Sequence, residues 1–347
     1  MRSEVFLMKL TVWELHRLES SPKSNLRRAL ERVLTFLPLL LIAVHIIEYK
    51  LYPNFTKYAA NKIAYPVSDT YTIFLGILAS GLIVYLVLSF LSEKKYERLV
   101  YSAPLYSVIA IILILYDVAT LKTGILQLPY FPWVDRILLA IVEDRKMLLD
   151  CIANSLVLLF TGYLSGVIVG LFCGVGAGWS KKIRYWVLPL IKVLGPIPST
   201  TWISIILIVA SSLFGGSVFM IALGVWYPVT MSALNGVSNV NKSNFEVART
   251  FGANKLELVF KVAIPAAMPS IFNGLMQGMG IACTALMVAE MLGVESGLGW
   301  YINWQRGWAE FAKMYAAVII ICLTFTVVNL GLTLVKKRVL RWKEEHV

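Results

Sequence analysis

Apolar residues run along this chain in long blocks separated by short clusters of charge. A helix needs about 20 mainly apolar residues to cross the hydrocarbon core of a bilayer, and eight blocks approach or reach that length. They are Val33 to Ile47, Thr70 to Leu91, Leu99 to Leu121, Cys151 to Gly178, Pro198 to Phe214, Ser217 to Val237, Ile271 to Gly293 and Met314 to Val335. The first is the shortest; Leu30 and Tyr49 extend it, while Arg32 and Lys50 snorkel to the two interfaces. The pattern predicts an all-α polytopic membrane protein with about eight transmembrane helices. No cleavable signal peptide is expected, because about thirty charged, amphipathic residues precede the first apolar run.

Composition agrees. Of 347 residues, 58% are hydrophobic and 15% charged, against about 25% charged in a soluble domain, so the chain has too little polar surface to cover itself in water. A formal charge of +12 would point a soluble protein toward nucleic acid. In a membrane chain the cause is simpler, since Lys and Arg collect in cytoplasmic loops. With the N-terminus inside, residues 1–32, 92–98, 179–184, 238–270 and 336–347 carry 22 Lys and Arg, and the opposite loops carry 9. This bias predicts a multi-pass protein of the cell (plasma) membrane with both termini cytoplasmic and no nucleic-acid partner. Cys151, Cys173, Cys283 and Cys322 sit in apolar runs without C-x-x-C spacing and read as small buried hydrophobes, not disulfides or metal ligands.

The chain also divides lengthwise. Residues 1–121 give an N-terminal cytoplasmic segment and three membrane helices without recognisable motifs. Residues 122–149 form an external interfacial segment, in which Leu128-Pro-Tyr-Phe-Pro-Trp133 breaks the helix and Val134 to Asp150 follows as an amphipathic stretch. Residues 150–347 are dense in Gly, Pro and specific polar positions, and no inverted repeat of the secondary-transporter kind is visible. Gly162, Gly166, Gly170, Gly174 and Gly178 place a glycine at every fourth residue of the fourth block. On a helix they open a groove where another backbone approaches closely, as fixed packing or as a sliding contact. Gly195-Pro196-Ile197-Pro198 then sets two prolines one residue apart, so Tyr185 to Leu194 is expected to be a short interfacial helix, with the crossing starting near Pro198.

The most informative stretch is the loop 238–270. Lys242-Ser243-Asn244 suits a helix start; Gly252 interrupts that helix, and an amphipathic helix resumes and is expected to stop before Pro265. A loop this long and this structured is more than a connection and reads as a docking surface. Its run Glu246-x-Ala248-Arg249-x-x-Gly252-Ala253, with Ile264-Pro265 closing thirteen residues after the glycine, resembles the EAA loop of integral permease subunits of binding-protein-dependent ABC importers. Gly195-Pro196-Ile197-Pro198, Ala289-Glu290-Met291-Leu292-Gly293, Gly297-Leu298-Gly299-Trp300 and a basic tail around Arg338 to Trp342 are similar to the sulfonate/nitrate/taurine branch. The resemblance covers roughly residues 130–343. Val247 departs from it by replacing an alanine of the signature, and residues 1–121 add two spans to the six-span plan of the branch.

The resemblance implies a type I ABC importer permease (MetI-like) core with extra N-terminal helices, and an EAA loop acting as a coupling helix in a cleft of a cytoplasmic ATPase subunit. Carried over, Glu246 faces the ATPase or caps the helix, Ala248 allows close approach, Arg249 pairs with an acidic group, Gly252 makes the turn, and Ala253, Ile264 and Pro265 complete the element. The chain has no G-x-x-x-x-G-K-[ST] run, so ATP and Mg are expected on the partner ATPase; the chain itself is expected to bind no cofactor or metal and not to be an enzyme. The further partners implied are an extracytoplasmic solute-binding protein, a second permease copy in a homodimer, and the lipid bilayer.

Intramembrane polar residues are candidates for the translocation path, here Thr200, Thr201, Ser204, Asn273, Gln277, Thr284 and Glu290, although Ser and Thr also bond carbonyls four residues back. Glu290, near the outer end of its span, has three open roles: solute contact, gate, or a side chain reaching water. Asp117 lies similarly near an outer end and is expected to reach water. Trp300, Trp304, Arg306 and Trp308 form an aromatic belt or a docking surface. Two other classes compete with the importer. A secondary transporter or channel would normally need buried acidic or His relays, whereas His16, His45 and His346 lie outside the deep spans; a membrane scaffold would use residues 1–121 for interaction. The solute is open, with small anions such as sulfonate, taurine or nitrate favoured by the resemblance.

Overall fold

The computed structural model describes residues 25–55 and 68–341; most of the charged N-terminal segment and the last tail residues, Trp342 included, lie outside the described residues. The described chain forms two compact units, residues 1–143 with 309–313, and residues 144–308 with 314–347.

The first unit contains α1 (Asn25–Leu51), α2 (Thr70–Phe90), α3 (Glu93–Asp117) and α4 (Val134–Glu143). Helix α3 ends in a π turn, Val118–Lys122. The start of α2 leaves backbone N–H groups without intrahelical partners, and α4 supplies the acceptor: the Asp135 carboxylate takes hydrogen bonds from Ser68 N and Ser68 Oγ, both at 2.7 Å, and from Tyr71 N at 3.0 Å. Tyr49, Tyr71, Leu75, Leu121 and Trp133 form the core beside it. Only 11% of the most apolar window of α2 is buried inside the protein, so most of this helix is on the surface of the chain.

The second unit begins with α5 (Arg145–Trp179), which is continuous through both the end of the expected amphipathic stretch and the fourth expected span. It continues through α6 (Lys181–Leu194), a 3-10 turn (Ser199–Trp202), α7 (Ile203–Val209) and α8 (Leu213–Ser238). After α8 come α9 (Lys242–Thr250), α10 (Lys255–Glu257), a π turn (Leu258–Ala263), α11 (Ile264–Gly293), α12 (Leu298–Gly307) and α13 (Phe311–Val339). Helix α8 is the centre, with 61% of its apolar window buried, against 6% for α13.

The five glycines of α5 fix how α5 meets α8. A Cβ at Gly162, Gly166, Gly170, Gly174 or Gly178 would lie within 3.0 Å of Ile221, Val225, Val229, Ala233 or Val237 respectively. The partner advances in step with the glycine, so the two helices run in the same direction. Helix α11 runs the other way along α8: Gly236 meets Ala267 and Ser270, while Gly224 meets Ile281.

Parallel neighbours require the chain between them to return across the layer, and residues 180–212 do so in pieces. Seven helices among the described residues are long and apolar enough to cross a membrane; the expected crossing from Pro198 to Phe214 is not among them. Arg184 Nε donates to Ala177 O at 2.9 Å at the start of α6, Val187 and Ile191 pack with Trp226 and Leu234, and Gly195 sits against Tyr227. Helix α6 therefore climbs antiparallel to α5 into the layer and is not interfacial. Its apolar face is buried, while Tyr185 and Trp186 stay exposed on the outside. At Pro196 and Pro198 the missing N–H donors end the helix, and the 3-10 turn and the seven-residue α7 complete the return. Ser212 then starts α8, its Oγ accepting from Gly215 N at 3.1 Å.

Of the four cysteines, Cys151 and Cys283 are buried and Cys173 half-buried, but Cys322 is exposed on α13 and is not the buried hydrophobe expected.

Candidate functional site

The loop 238–270 is built by local capping. Asn241 opens α9, one residue before the expected start, with its Oδ1 accepting from Ser243 N at 3.1 Å. The helix closes through Gly252 in the left-handed region, φ +82°, with Gly252 N on Arg249 O at 2.9 Å and Ala253 N on Ala248 O at 3.1 Å. These two bonds make a Schellman close, which favours glycine at this position. Asn254 immediately starts the next helix in a capping box: its side chain accepts from Glu257 N at 2.9 Å, and Glu257 Oε2 accepts from Asn254 N at 3.0 Å. Glu257 also holds Lys261 at 2.8 Å.

The helix does not stop before Pro265. It widens into the π turn and passes into α11, whose second residue is Pro265; the wider turn lies just where the proline's missing N–H interrupts the ordinary ladder. Glu246 lies in the second turn of α9 and is not its cap. Phe245 anchors the loop, its ring 5.7 Å from that of Trp179. Glu246 and Arg249 are exposed, as are the large apolar Val247, Phe251, Leu256 and Phe260; Phe251 reaches 87%. Ala248, Ala253, Ile264 and Pro265 are half-buried beneath this rim.

A second feature is a cavity of about 520 Å³ at the break in the return segment. Thr200, Gln277 and Thr284 line it, together with Ser199, Tyr227 and Gly224. A Cβ at Gly224 would lie 2.7 Å from Ser199 Oγ and 2.9 Å from Ile281, so glycine there leaves room for the turn. The other path candidates are elsewhere: Thr201 and Ser204 are exposed outside the lining, and Asn273 Oδ1 accepts from Lys336 Nζ at 3.0 Å. Ser199 and Tyr227 were missed by reading polarity within spans; the proline pair just before Ser199 was their only signal.

Of the three roles open to it in the sequence, Glu290 does not reach water. It is 1% exposed and bridges elements: Oε1 accepts from Ser155 Oγ of α5 at 2.5 Å, and Oε2 accepts from Gly299 N of α12 at 2.7 Å. Ser155 Oγ in turn accepts from Leu298 N at 2.9 Å. Gly297, at φ +124°, and Gly299 leave space for the carboxylate, since a Cβ on either would collide with the Glu290 side chain. The motif Ala289 to Gly293 and the run Gly297-Leu-Gly299-Trp300 are thus joined by one staple. Beyond it, Trp300 and Trp304 stack at 5.6 Å and Trp304 and Trp308 lie 6.0 Å apart, an aromatic ladder along α12 with its last two rings exposed.

Comparison with known proteins adds one family and three relatives. The family described as "Binding-protein-dependent transport system inner membrane component" matches residues 166–341. The chain is 30% identical over 185 residues to a putative aliphatic sulfonates transport permease protein of Bacillus subtilis, covering 53% of this chain and 67% of the relative. It is 26% identical to the taurine transport system permease protein of Escherichia coli, covering 56% and 70%, and 28% identical to a nitrate import permease protein of Leptolyngbya laminosa, covering 54% and 67%.

Proposed function

Because the chain belongs to the family of inner membrane components of binding-protein-dependent transport systems, we propose that its loop 238–270 couples solute import to ATP hydrolysis on a separate cytoplasmic subunit. The observation that carries this reading is the rim of Val247, Phe251, Leu256 and Phe260, apolar side chains held out from a loop that is rigidly capped on both sides of Gly252. Exposed apolar patches of this kind mark interaction sites, and a capped helix-turn-helix transmits a push without bending. Glu246 and Arg249 flank the rim and give the contact its charged edge. ATP and Mg reside on the partner, while this chain is the non-catalytic membrane subunit.

The cavity at the return break is the solute path in this reading. Broken helices expose backbone groups in mid-layer and are a common way to build such sites. The lining offers neutral donors, the hydroxyls of Ser199, Thr200, Thr284 and Tyr227 and the Gln277 amide, which suits a small anion such as a sulfonate, taurine or nitrate. A second copy of the chain completes the pathway, a binding protein delivers solute from outside, and both termini lie in the cytoplasm with the loop. Closure of two ATPase subunits then draws two loops together and shifts the pair from inward-open to outward-open.

The test is gentle-detergent purification of the tagged chain from its own membranes, with mass spectrometry of what accompanies it, repeated for Phe251→Asp and Gly252→Asp. The expected result is an ATPase subunit with the unaltered chain and its loss from both variants, each still monodisperse. Absence of any ATPase under several detergents, together with no capture by a crosslinker at residue 257, ends the coupling assignment.

A further inference from the structure

The first unit holds a buried group of ionisable side chains that the importer reading does not use. His45 and Glu48 are three residues apart on α1 and so share one face; Asp117 is the last residue of α3. Their ligand-capable atoms all lie within 4.8 Å of one another, with His45 Nε2 3.9 Å from Glu48 Oε2. His45 is 1% exposed and Asp117 0%, so Asp117 does not reach water as its place near a span end suggested, and His45, inside the apolar stretch Val33–Leu51, is not outside the spans as expected. Both carboxylate oxygens of Asp117 and both of Glu48 are buried without a hydrogen-bond partner. A buried carboxylate in that condition is costly unless something neutralises it.

The buried cation that acts on both through space, Lys122, donates a hydrogen bond to neither. Lys122 is 6% exposed, and its ammonium donates to Tyr49 O at 2.8 Å, Tyr52 O at 2.9 Å and Asn54 Oδ1 at 3.0 Å. An ammonium has three N–H donors, and all three are used on neutral oxygens. The π turn Val118–Lys122 separates Lys122 from Asp117, and π turns recur at functional positions. On the other side, Tyr71 fixes the imidazole, ring edge to face at 5.4 Å with its hydroxyl 3.4 Å from Nε2; Asp135 in turn fixes Tyr71 through its backbone N–H.

We propose that His45, Glu48 and Asp117 bind one divalent first-row transition ion of the zinc or manganese class. One imidazole and two carboxylates are a donor set that suits such ions, and three protein ligands leave a position open for water or another ligand. Ligands about 2.0–2.2 Å from a tetrahedral ion lie about 3.3–3.6 Å apart, so small side-chain rotations close the site. The ion would give both carboxylates the direct partner they lack and would tie α1 to α3. No motif spacing joins positions 45, 48 and 117, so this grouping is visible only in the fold.

The experiment uses the full chain in detergent, purified with a tag free of histidine, stripped with chelator, loaded separately with Zn²⁺ or Mn²⁺, desalted, and assayed by elemental analysis. One ion per chain is expected, at background in Asp117→Asn and His45→Gln, bound at least tenfold more weakly in Glu48→Gln, and undiminished in the control Glu295→Gln. X-ray absorption of the loaded wild-type chain is expected to show a shell of nitrogen and oxygen only, which keeps the test open if Asp117→Asn fails to fold. Background levels of both ions in the monodisperse wild type would overturn the proposal and leave two carboxyls sharing a proton. A stoichiometric ion that persists in all three ligand variants, or a sulfur-containing shell, would overturn it equally.

Discussion

Glu290 and Asp117 are both carboxylates almost completely removed from solvent, and they are built in opposite ways. Around Glu290 the chain supplies a hydroxyl, a backbone N–H and two glycines that make room for the carboxylate. Around Asp117 it supplies no hydrogen-bond donor, and the adjacent lysine is committed to other oxygens. Burial alone is therefore a poor guide to role. A buried carboxylate whose donors are provided is part of the frame, and one whose donors are withheld is kept for something the chain does not carry.

The strongest way to break this contrast is Glu290→Ala. It leaves Ser155 Oγ and Gly299 N without their acceptor and is expected to destabilise by about 3–5 kcal/mol, since each hydrogen bond to a charged group is worth roughly 1.5–3 kcal/mol. Thermal unfolding in detergent, followed by dye reaction with the buried Cys151 and Cys283 thiols, reads the loss; an unchanged midpoint would demote the staple. Gly174→Val comes next, at about 1–3 kcal/mol of overpacking, because its missing Cβ already faces Ala233 and the Thr230 carbonyl at 2.6 Å; the same dye assay checks it. Asp117→Asn should carry the opposite sign in chelator-stripped protein, raising the midpoint by the equivalent of about 1 kcal/mol as an uncompensated buried charge is removed. A fall there would show that the carboxylate is already satisfied. Gly252→Ala comes last, at about 1 kcal/mol for a Cβ at positive φ; it should lower the midpoint slightly and lower ATPase stimulation in a reconstituted transporter.

Much of this was legible in the sequence where the determinants are local. The caps of the loop lie within a few residues of what they cap, so Gly252 and the helix on either side of it could be read directly, with Asn241 displaced by one. The glycine step in α5 announced a close helix contact but not its partner or direction. Long-range pairing was invisible: Ser155 and Glu290 are 135 positions apart, and hydropathy measures preference for water, not which donor meets which acceptor. The same limit hid the return segment. A window of apolar residues from Pro198 to Phe214 looks like a crossing, and only the parallel packing of α5 and α8 shows that the climb starts earlier, at α6, and is broken on the way.

The register between α5 and α8 also bears on how this chain tolerates change in length. Each glycine meets a residue the same number of positions further along, so the intervening segment 180–212 could gain or lose a residue at its turns without disturbing the contact. One residue inserted within Gly162 to Gly178 would instead rotate every later glycine by about 100° about the helix axis, turning the smooth seam into a row of side chains against carbonyls. Surviving insertions and deletions among natural variants should accordingly cluster at the joints of the return segment and spare the two rods it connects.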